Sequence, residues 1–321
     1  MQIFHKLEEV PADFGPSIVT VGNFDGVHRA HVRVLNEIVA RAKRLRCKSV
    51  AVTFDPHPMR VLRPDFRLKL LTPDAEKLRL LEQTGIDATV VIPFSRDLSL
   101  MAPRDFVAHI LCDRLHVREL HEGYNFRFGH KAAGDVQLLS QLGRELGFEL
   151  TTYPELRLRN EPVSSTHIRE LIGVGNVQRA KPLLGRPFSI RSNPGRGRGY
   201  GSKYTVPTIN LSHYEELTPR DGVYVTRTRV SEECFDSVTN VGNRPTFNGA
   251  SFAIETHLLN FHPLELTADT EVEIVFLSRI RDEIKFSSVE KLREQIQRDI
   301  ARSERYFGLL RRSKKAAEVT R

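Results

Sequence analysis

The sequence predicts an α/β protein, in which a parallel sheet with helices on both faces is followed by a small six-stranded antiparallel β-barrel and a C-terminal helix. Three observations predict this architecture. Strand-like and helix-like segments alternate up to about Leu184, and short strands separated by turn residues dominate the chain after it. Near the C-terminus, apolar residues recur at helical spacing, which predicts the closing helix.

Five strand-like runs predict the first sheet: Ile18–Val21, Ser49–Phe54, Ala88–Ile92, Val117–Glu122 and Phe148–Tyr153. Between them, apolar residues at helical spacing predict a helix over Val32–Leu45, and helix starts are predicted at Pro73 and Pro103. Such alternation is typical of a parallel, doubly wound sheet. Ligands bind to sheets of this kind beyond the carboxyl ends of the strands.

Six short strands are predicted in the second half: Phe188–Arg191, Thr208–Leu211, Val223–Val230, Ser237–Val241, Ala253–Leu259 and Glu271–Ser278. Several short strands with little helix favour a small antiparallel barrel. A helix over about Ser288–Leu310 closes this module. Its apolar stripe consists of Val289, Leu292, Ile296, Ile300 and Phe307.

Length and composition suggest an ordinary globular protein of about two domains, with 321 residues of which 40% are hydrophobic. The three cysteines, Cys47, Cys112 and Cys234, form no CxxC pair, which argues against a disulfide framework or a cysteine zinc site. The N-terminal residues do not resemble a signal leader, and no apolar run approaches the roughly 18 residues that span a bilayer. We therefore expect a cytoplasmic protein without a membrane partner.

The net charge of +8 is concentrated in two places. The tail Arg311–Arg321 has five basic residues and one acidic residue without apolar periodicity, and we expect it to be a frayed, solvated end. The stretch Arg191–Tyr204 is glycine-rich, with four basic residues and no acidic one. It suits a loop that covers a phosphate, and a plain flexible linker is the alternative interpretation.

The most informative motif is the turn Gly22-Asn23-Phe24-Asp25-Gly26, which leads through His28 and His31 into the first helix. Backbone N–H groups and the positive end of the helix dipole gather at such a junction, and this arrangement binds phosphate. Two histidines there add donors for a phosphate that gains charge during a reaction. An ordinary turn with two surface histidines is the alternative.

Two further segments of the first half offer ligand-binding side chains. Asn125, Phe126 and Phe128 lie within Gly123–Gly129, where aromatic rings beside an amide suit a flat heterocycle. A rim loop with core aromatics is the alternative for that segment.

The other segment begins a helix, which Ser164, Ser165 or Thr166 can cap. Its first N–H groups would face a phosphate, and Arg169 offers forked donors for a pyrophosphate. A purely structural cap is the alternative.

The second half offers a metal-binding pair and a carboxylate. Thr208 and Asn210 are two apart in a predicted strand and therefore point to one face. Two neutral oxygens on one face suit Mg²⁺ held together with phosphates and water, and an exposed polar face is the alternative. Glu255 would accept a proton from a hydroxyl that attacks phosphate, or is simply a surface acid.

Together the motifs of the first half resemble the bacterial FMN adenylyltransferases, a family with a Rossmann-like nucleotidyltransferase fold. The resemblance rests on Gly22-Asn23-Phe24-Asp25-Gly26-Val27-His28-x-x-His31, Thr53-Phe54-Asp55-Pro56-His57-Pro58, Gly123–Gly129 and Ser164-Ser165-Thr166-x-Ile168-Arg169. It implies an ATP and phosphate site made of Gly22, Asn23, Phe24, Asp25, Gly26, His28, His31, Ser164, Thr166 and Arg169. It also implies that Asn125, Phe126 and Phe128 contact the nucleotide and the flavin.

The second half is similar to a riboflavin kinase module. The similarity rests on Gly185-Arg186-Pro187-Phe188, the basic glycine loop, Pro207-Thr208-x-Asn210, Gly222-Val223-Tyr224, Asn240–Phe247 and Glu255-Thr256-His257-Leu258-Leu259. It implies that Thr208 and Asn210 bind Mg²⁺ and ATP phosphates, and that Glu255 is the base for the riboflavin 5′-hydroxyl. The glycine loop, with Gly195, Arg196, Gly197 and Arg198, would fold over the nucleotide.

Both modules stand in the order found in the bacterial bifunctional riboflavin kinase/FMN adenylyltransferases (FAD synthetases). The resemblance implies an adenylyltransferase domain over residues 1–184, a kinase domain over 185–312 and a basic tail over 313–321. It also implies that riboflavin is converted to FMN and then to FAD, with ATP and Mg²⁺ in both steps and release of pyrophosphate in the second.

Two departures from the family pattern and three rival hypotheses remain, and the first rival, suggested by those departures, is an enzyme with only one of the two activities. Ala30 stands where family members usually carry glycine, and Thr205-Val206-Pro207-Thr208-Ile209-Asn210 departs from the usual Gly-Phe-Pro-Thr-Ala-Asn. A basic nucleic-acid-binding protein is the rival of another class. It lacks recognisable RNA-binding motifs or a base-reading helix, so we expect no nucleic-acid partner. A metal site at His28 and His31 lacks an evident third ligand.

Overall fold

The computed structural model describes residues 1–195, 208–212, 214–246, 249–262, 264 and 266–319. The chain divides into two compact units, Met1–His167 and Ile168–Arg321. The expected domain boundary after residue 184 lies within the second unit and stays a prediction.

The first unit contains a six-stranded parallel sheet, as the alternation of elements predicts. Its strands are β1 (Gln2–Phe4), β2 (Ser17–Val21), β3 (Lys48–Asp55), β4 (Ala88–Pro93), β5 (Val117–Gly123) and β6 (Glu149–Tyr153). They are ordered β1-β4-β3-β2-β5-β6, so the edge strand β1 is an addition to the five predicted ones. The chain runs from β2 to one side of the sheet and then returns to the other side with β5, so a topological switch point lies between β2 and β5.

Nine α-helices lie within the described ranges. They are α1 (Arg29–Leu45), α2 (Pro58–Leu62), α3 (Asp74–Glu82), α4 (Arg96–Leu100), α5 (Pro103–Asp105), α6 (Val136–Leu146), α7 (Ser165–Gly173), α8 (Val177–Leu184) and α9 (Val289–Val319). A π-helical segment, Phe106–Arg114, continues α5. A two-stranded ribbon, β7 (Arg157–Leu158) and β8 (Glu161–Pro162), precedes α7.

Helix α1 packs on one face of the sheet through the apolar stripe that the sequence predicts. Leu35, Ile38 and Ala42 are buried against Ile18 and Ala51 of the sheet. The helix begins at Arg29, three residues before the predicted start, because His28 caps it with its side chain. A second apolar cluster covers the opposite face, so the sheet is buried on both sides, as expected for parallel strands.

The second unit contains a six-stranded antiparallel sheet that curls into a barrel, which confirms the predicted architecture. Its strands are β9 (Ser189–Ser192), β10 (Thr208–Asn210), β11 (Gly222–Val230), β12 (Glu233–Thr246), β13 (Gly249–Leu258) and β14 (Val272–Arg281), in the order β10-β13-β12-β11-β14-β9. A bridge between Pro194 and Leu211, directly after the two edge strands, brings the edges together.

Five buried hydroxyl groups form a closed hydrogen-bonded ring inside the barrel. The ring runs through Thr226, Ser237, Thr228, Thr256 and Thr239 and returns to Thr226, with oxygen–oxygen distances of 2.7–2.9 Å. All five residues are fully buried. Because each hydroxyl can donate one bond and accept another, the ring satisfies every member without water.

Helix α9 packs against the outer face of the barrel. Phe307 is buried against Val223, Val225 and Val238. The helix continues to Val319, so the predicted helix end near Leu310 is wrong. The prediction of a frayed tail is likewise wrong for the residues up to 319, because they are helical. Across the described ranges, no helix combines the length and the apolar character needed to cross a membrane.

Candidate active sites

A cavity of about 370 Å³ opens at the carboxyl ends of β2, β5 and β6, where the switch point of the sheet lies. The turn after β2 forms one wall through Gly22 and Phe24, and the start of α1 forms the next. The turn has left-handed backbone at Phe24 (φ 48°) and Gly26 (φ 86°). This conformation folds the chain back sharply enough to bring the helix N-terminus to the strand end.

Asp25 shapes that turn and does not line the cavity. Its buried carboxylate accepts the backbone N–H groups of Leu71 (2.8 Å) and Thr72 (3.1 Å), and the Thr72 hydroxyl oxygen accepts the N–H of Gly26 (3.0 Å). Asn23 likewise lies outside the lining, and its carbonyl accepts a long bond from Thr53 (3.4 Å). Asn23, Asp25 and Gly26 are thus placed to hold the shape of the turn.

Both histidines of the motif line the cavity. His28 is buried, and its Nδ1 accepts the backbone N–H of His31 at 3.5 Å, which caps α1. His31 is partly buried, and its enclosed Nδ1 has no hydrogen-bond partner within the described part of the chain. Burial, and then the neighbouring His28, lower the pKa of His31 well below its ordinary value. Within the described part of the chain, this nitrogen of a neutral imidazole is therefore available to a ligand.

The start of α7 forms the opposite wall through Ser164, Ser165 and Thr166. Ser164 caps the helix by accepting the N–H of His167 (3.3 Å), and Ser165 donates to the carbonyl of Asp25 (2.9 Å). This second bond ties the helix start to the turn after β2. Arg169 lies further along α7, in the second unit.

The segment after β5 contributes Tyr124, Asn125 and Phe126 to the cavity. Phe128 instead belongs to the buried apolar cluster, where its ring stacks on Phe126 with centroids 5.5 Å apart. The structure therefore brings to one cavity Gly22, Phe24, His28, His31, Asn125, Phe126, Ser164 and Thr166.

Several cavity residues were not predicted, and Glu122 and Tyr153 are two of them. Both stand at the carboxyl ends of predicted strands, and this position was the signal that could have identified them. The Tyr153 hydroxyl bonds Nδ1 of His121 (2.7 Å), and His121 in turn contacts Glu119 (3.3 Å). Burial raises the pKa of Tyr153 to about 12, so its hydroxyl is protonated at neutral pH.

The second unit has a cavity of about 310 Å³ between the barrel and α9. Its polar lining includes Thr208, Asn240, Glu255 and His257. Leu292, Ile296 and Ile300, three of the five residues of the predicted helical stripe, form the apolar wall. An apolar wall facing a few polar side chains is the usual composition of a site for a partly apolar ligand.

Strand register sets the polar side chains in two neighbouring rows. Glu255 on β13 is paired with Asn210 on β10 and with Asn240 on β12. Thr208 is paired with His257 in the next row. Directly paired residues point to the same side of a sheet, so these five side chains share one face. Asn210 shares that face and is not among the residues lining the cavity.

His257 was not predicted as a site residue, although it follows Glu255 by two positions. Its Nε2 is enclosed and lacks a hydrogen-bond partner among the residues that the structure describes. Burial lowers the pKa of His257 to about 4, so the imidazole is neutral at pH 7.

The basic glycine-rich stretch Arg191–Tyr204 is described from Arg191 to Gly195. The N–H of Gly195 donates to the carbonyl of Asn210 (2.7 Å), which ties the loop to the metal-binding pair implied by the sequence. Arg196, Gly197 and Arg198 lie outside the described residues.

Comparison with known proteins gives one consistent result. A family model described as FAD synthetase matches residues 10–167, and one described as riboflavin kinase matches residues 184–307. The chain is 31% identical to a bifunctional riboflavin kinase/FMN adenylyltransferase of Escherichia coli strain K12, over 95% of this chain and 96% of the relative. A Pseudomonas fluorescens protein of the same name is 32% identical over 94% of this chain and 96% of its own length.

One solved structure agrees in overall fold. The crystal structure of a protein named macrolide-efflux protein, from Streptococcus pneumoniae, matches with a TM-score of 0.84 and 26% sequence identity. The match covers 94% of this chain and 98% of that chain.

Proposed function

The chain belongs to the family of bifunctional riboflavin kinase/FMN adenylyltransferases, and on this premise we propose that it makes FAD from riboflavin in two ATP-dependent steps. The observation that carries the proposal is that each half holds its own cavity, lined by polar residues that the sequence assigns to that half. The two chemistries therefore have separate sites in one chain.

In the kinase step, the 5′-hydroxyl of riboflavin attacks the γ-phosphorus of ATP, and ADP leaves. Glu255 is the proposed base that accepts the hydroxyl proton. Its place between Asn210 and Asn240 supports this role, since amide neighbours can orient a carboxylate without neutralising it. The apolar wall of Leu292 and Ile296 suits the flat, partly apolar flavin ring.

Mg²⁺ is the proposed metal of the kinase site. Thr208 and Asn210 are neutral oxygen donors on one face of β10, and this donor set fits a magnesium ion whose other ligands are phosphate oxygens and water. When bound, the ion would neutralise charge on the ATP phosphates. No group of three or more His, Cys, Asp or Glu side chains in the described ranges could hold a metal by itself.

In the adenylylation step, a phosphate oxygen of FMN attacks the α-phosphorus of ATP, and the bond to pyrophosphate breaks. The FMN phosphate is already ionised, so no general base is needed. His28, His31 and the first N–H groups of α1 are proposed to stabilise the charge that builds on the departing pyrophosphate. Ser164, Thr166 and Arg169 are proposed to hold the triphosphate.

We further propose that the protein works in the cytoplasm on small molecules and has no nucleic-acid partner. Cys47, Cys112 and Cys234 are all free thiols, which supports a reducing compartment. The cavities are sized for small ligands, which supports the same proposal.

A time course of purified protein with riboflavin, ATP and Mg²⁺, followed by chromatography, tests the proposal. We expect FMN to appear first and then to convert to FAD. FMN that accumulates without FAD would contradict the role of the first half. Absence of any flavin product from riboflavin and from FMN would overturn both assignments. Salt-sensitive RNA binding unaffected by ATP would then favour the nucleic-acid hypothesis.

A further inference from the structure

A buried acid that the proposed chemistry does not use lines the adenylylation cavity. Glu122 stands next to the carboxyl end of β5 and is 3% exposed. Its Oε1 accepts the backbone N–H of Val21, the last residue of β2, at 2.6 Å. The same side chain is part of the cavity wall.

The position follows from where the two central strands separate. Pairing of β2 with β5 ends at Val19 and Leu120, and the cavity opens beyond that pair. The N–H of Val21 lies past the last paired residue on that side, so it takes a side-chain acceptor in place of a strand partner. Glu122 supplies that acceptor and is thereby fixed at the switch point.

The bond to Val21 engages Oε1 of Glu122 and not its second carboxyl oxygen, Oε2. Burial raises the pKa of Glu122 well above its ordinary value, and the Val21 N–H lowers it only in part. The other charged or titratable groups that line the same cavity are His28, His31, Arg33, Tyr124, Tyr153 and Glu155. With Oε1 accepting from Val21, a protonated acid carries its hydrogen on Oε2 and is a donor.

We propose that Glu122 donates an O–H hydrogen bond to an acceptor atom, a ring nitrogen or a carbonyl oxygen, on the flat heterocycle bound in the adenylylation cavity. The inference rests on the proposed function, which puts two such heterocycles there, the adenine of ATP and the isoalloxazine of FMN. Tyr124 and Phe126, which follow Glu122 closely in the chain, line the same cavity, and their rings suit stacking on a flat ring.

Two variants distinguish a hydrogen-bonding role of the Glu122 side chain from simple filling of space, and the pH dependence below tests the donor itself. In Glu122→Gln, the amide oxygen can still accept from Val21 and the amide N–H can still donate to a ligand. Glu122→Met has neither group. We expect Glu122→Gln to keep the KM values for FMN and ATP within about threefold, and Glu122→Met to raise one of them by about tenfold or more. A rise for ATP assigns the acceptor to adenine, and a rise for FMN assigns it to the flavin.

The kinase activity of the same chain is the internal control for folding, because it uses the other cavity. Glu122→Met with both KM values unchanged would overturn the inference, and so would Glu122→Gln as impaired as Glu122→Met. A parallel His31→Asn variant distinguishes failure of the proposed adenylylation site from failure of the proposed role of Glu122. If that variant adenylylates normally, the proposed site is wrong; if it fails while Glu122→Met is normal, only the role of Glu122 is wrong.

A second measurement decides the matter if Glu122→Met does not fold. The parent protein should lose affinity for one substrate as the pH is raised through the range in which Glu122 ionises, because the ionised carboxylate no longer donates. Glu122→Gln should not show that loss. The variant retains every other titratable group of the cavity, so a difference belongs to position 122. Identical pH profiles would overturn the inference.

Discussion

The imidazole rings of His28 and His31 lie stacked, with centroids 3.7 Å apart and planes 15° from parallel. Two positive charges at this distance would repel each other strongly, so the pair disfavours protonation of both rings at once. Each neutral ring still carries one N–H group. The stack therefore brings hydrogen-bond donors to the N-terminus of α1 without a fixed pair of positive charges.

His31→Asn should lower the rate of FAD formation from supplied FMN by roughly 100-fold or more, because removing one donor to a developing charge typically has that effect. Riboflavin phosphorylation by the same variant should be unchanged. The matched control is His109→Asn, since His109 is exposed on the π-helical segment and pairs with Asp113. Equal loss of both activities would indicate misfolding rather than a role in adenylylation.

The stability of the first unit should fall as the pH drops below about 6.5. The folded unit keeps His31 neutral because its pKa is lowered, whereas the unfolded chain binds a proton there. The contribution of His31 is therefore complete above the unfolded pKa and is lost toward the lowered folded pKa, by at most about 1.4 kcal/mol per pH unit. Denaturant unfolding of the parent and of His31→Asn at several pH values measures it. A parent curve no steeper than that of the variant would contradict this assignment.

Glu255→Gln should lower the rate of conversion of riboflavin to FMN by about 100-fold or more, and it should leave the rate of FAD formation from supplied FMN unchanged. The amide preserves size and removes the proton acceptor. Glu304→Gln, on the exposed side of α9, is the matched control. Normal FMN formation by Glu255→Gln would remove Glu255 from the kinase mechanism.

Ala30→Gly should raise kcat/KM for adenylylation, by at most about tenfold, because the Ala30 methyl faces the cavity where the resemblance places phosphates. The same change should cost the helix about 0.5–1 kcal/mol, since glycine is a poorer helix former. Initial rates at limiting FMN and a thermal melt measure the two effects. Lower kcat/KM in the glycine variant would show that the methyl is accommodated.

Asp299→Ala should destabilise the second unit by about 3–5 kcal/mol. Asp299 is buried on α9 and accepts from Nη2 of Arg281 on β14 at 2.7 Å, with Gln295 as a further donor at 3.0 Å. The variant leaves a largely buried guanidinium without its carboxylate. The exposed pair Arg298 and Glu294 gives the control, and Glu294→Ala should change stability by less than about 1 kcal/mol in the same unfolding assay.

Sequence patterns predicted the helices and strands in which apolar side chains recur at a regular spacing. Strand and helix periods sufficed for both sheets and for α1, because each buries a regular face. The edge strand β1 is too short to show a period. Helix α9 continues beyond its apolar stripe, and the Lys and Ala residues near its end are good helix formers.

The site was predictable where a motif is local and less so where contacts are distant. His28 and His31 meet because one helical turn separates them. The hydrogen bonds of Asp25 with the N–H groups of Leu71 and Thr72 join distant parts of the chain, and no local sequence pattern predicts them. Phe126 and Phe128 sit in a segment without regular period, so the sequence did not separate the cavity-lining ring from the buried one.

The closed ring of hydroxyls in the barrel bears on how the strands find their register. A hydrophobic face repeats every two residues, so apolar burial alone does not reject a strand that slips by two. A two-residue slip between β12 and β13 would set Thr239 opposite Ile254 or Leu258 instead of Thr256. The ring would open, and buried hydroxyls would lose their partners. The polar core thus selects a single alignment of β13, and with it the placement of Glu255 beside Asn240.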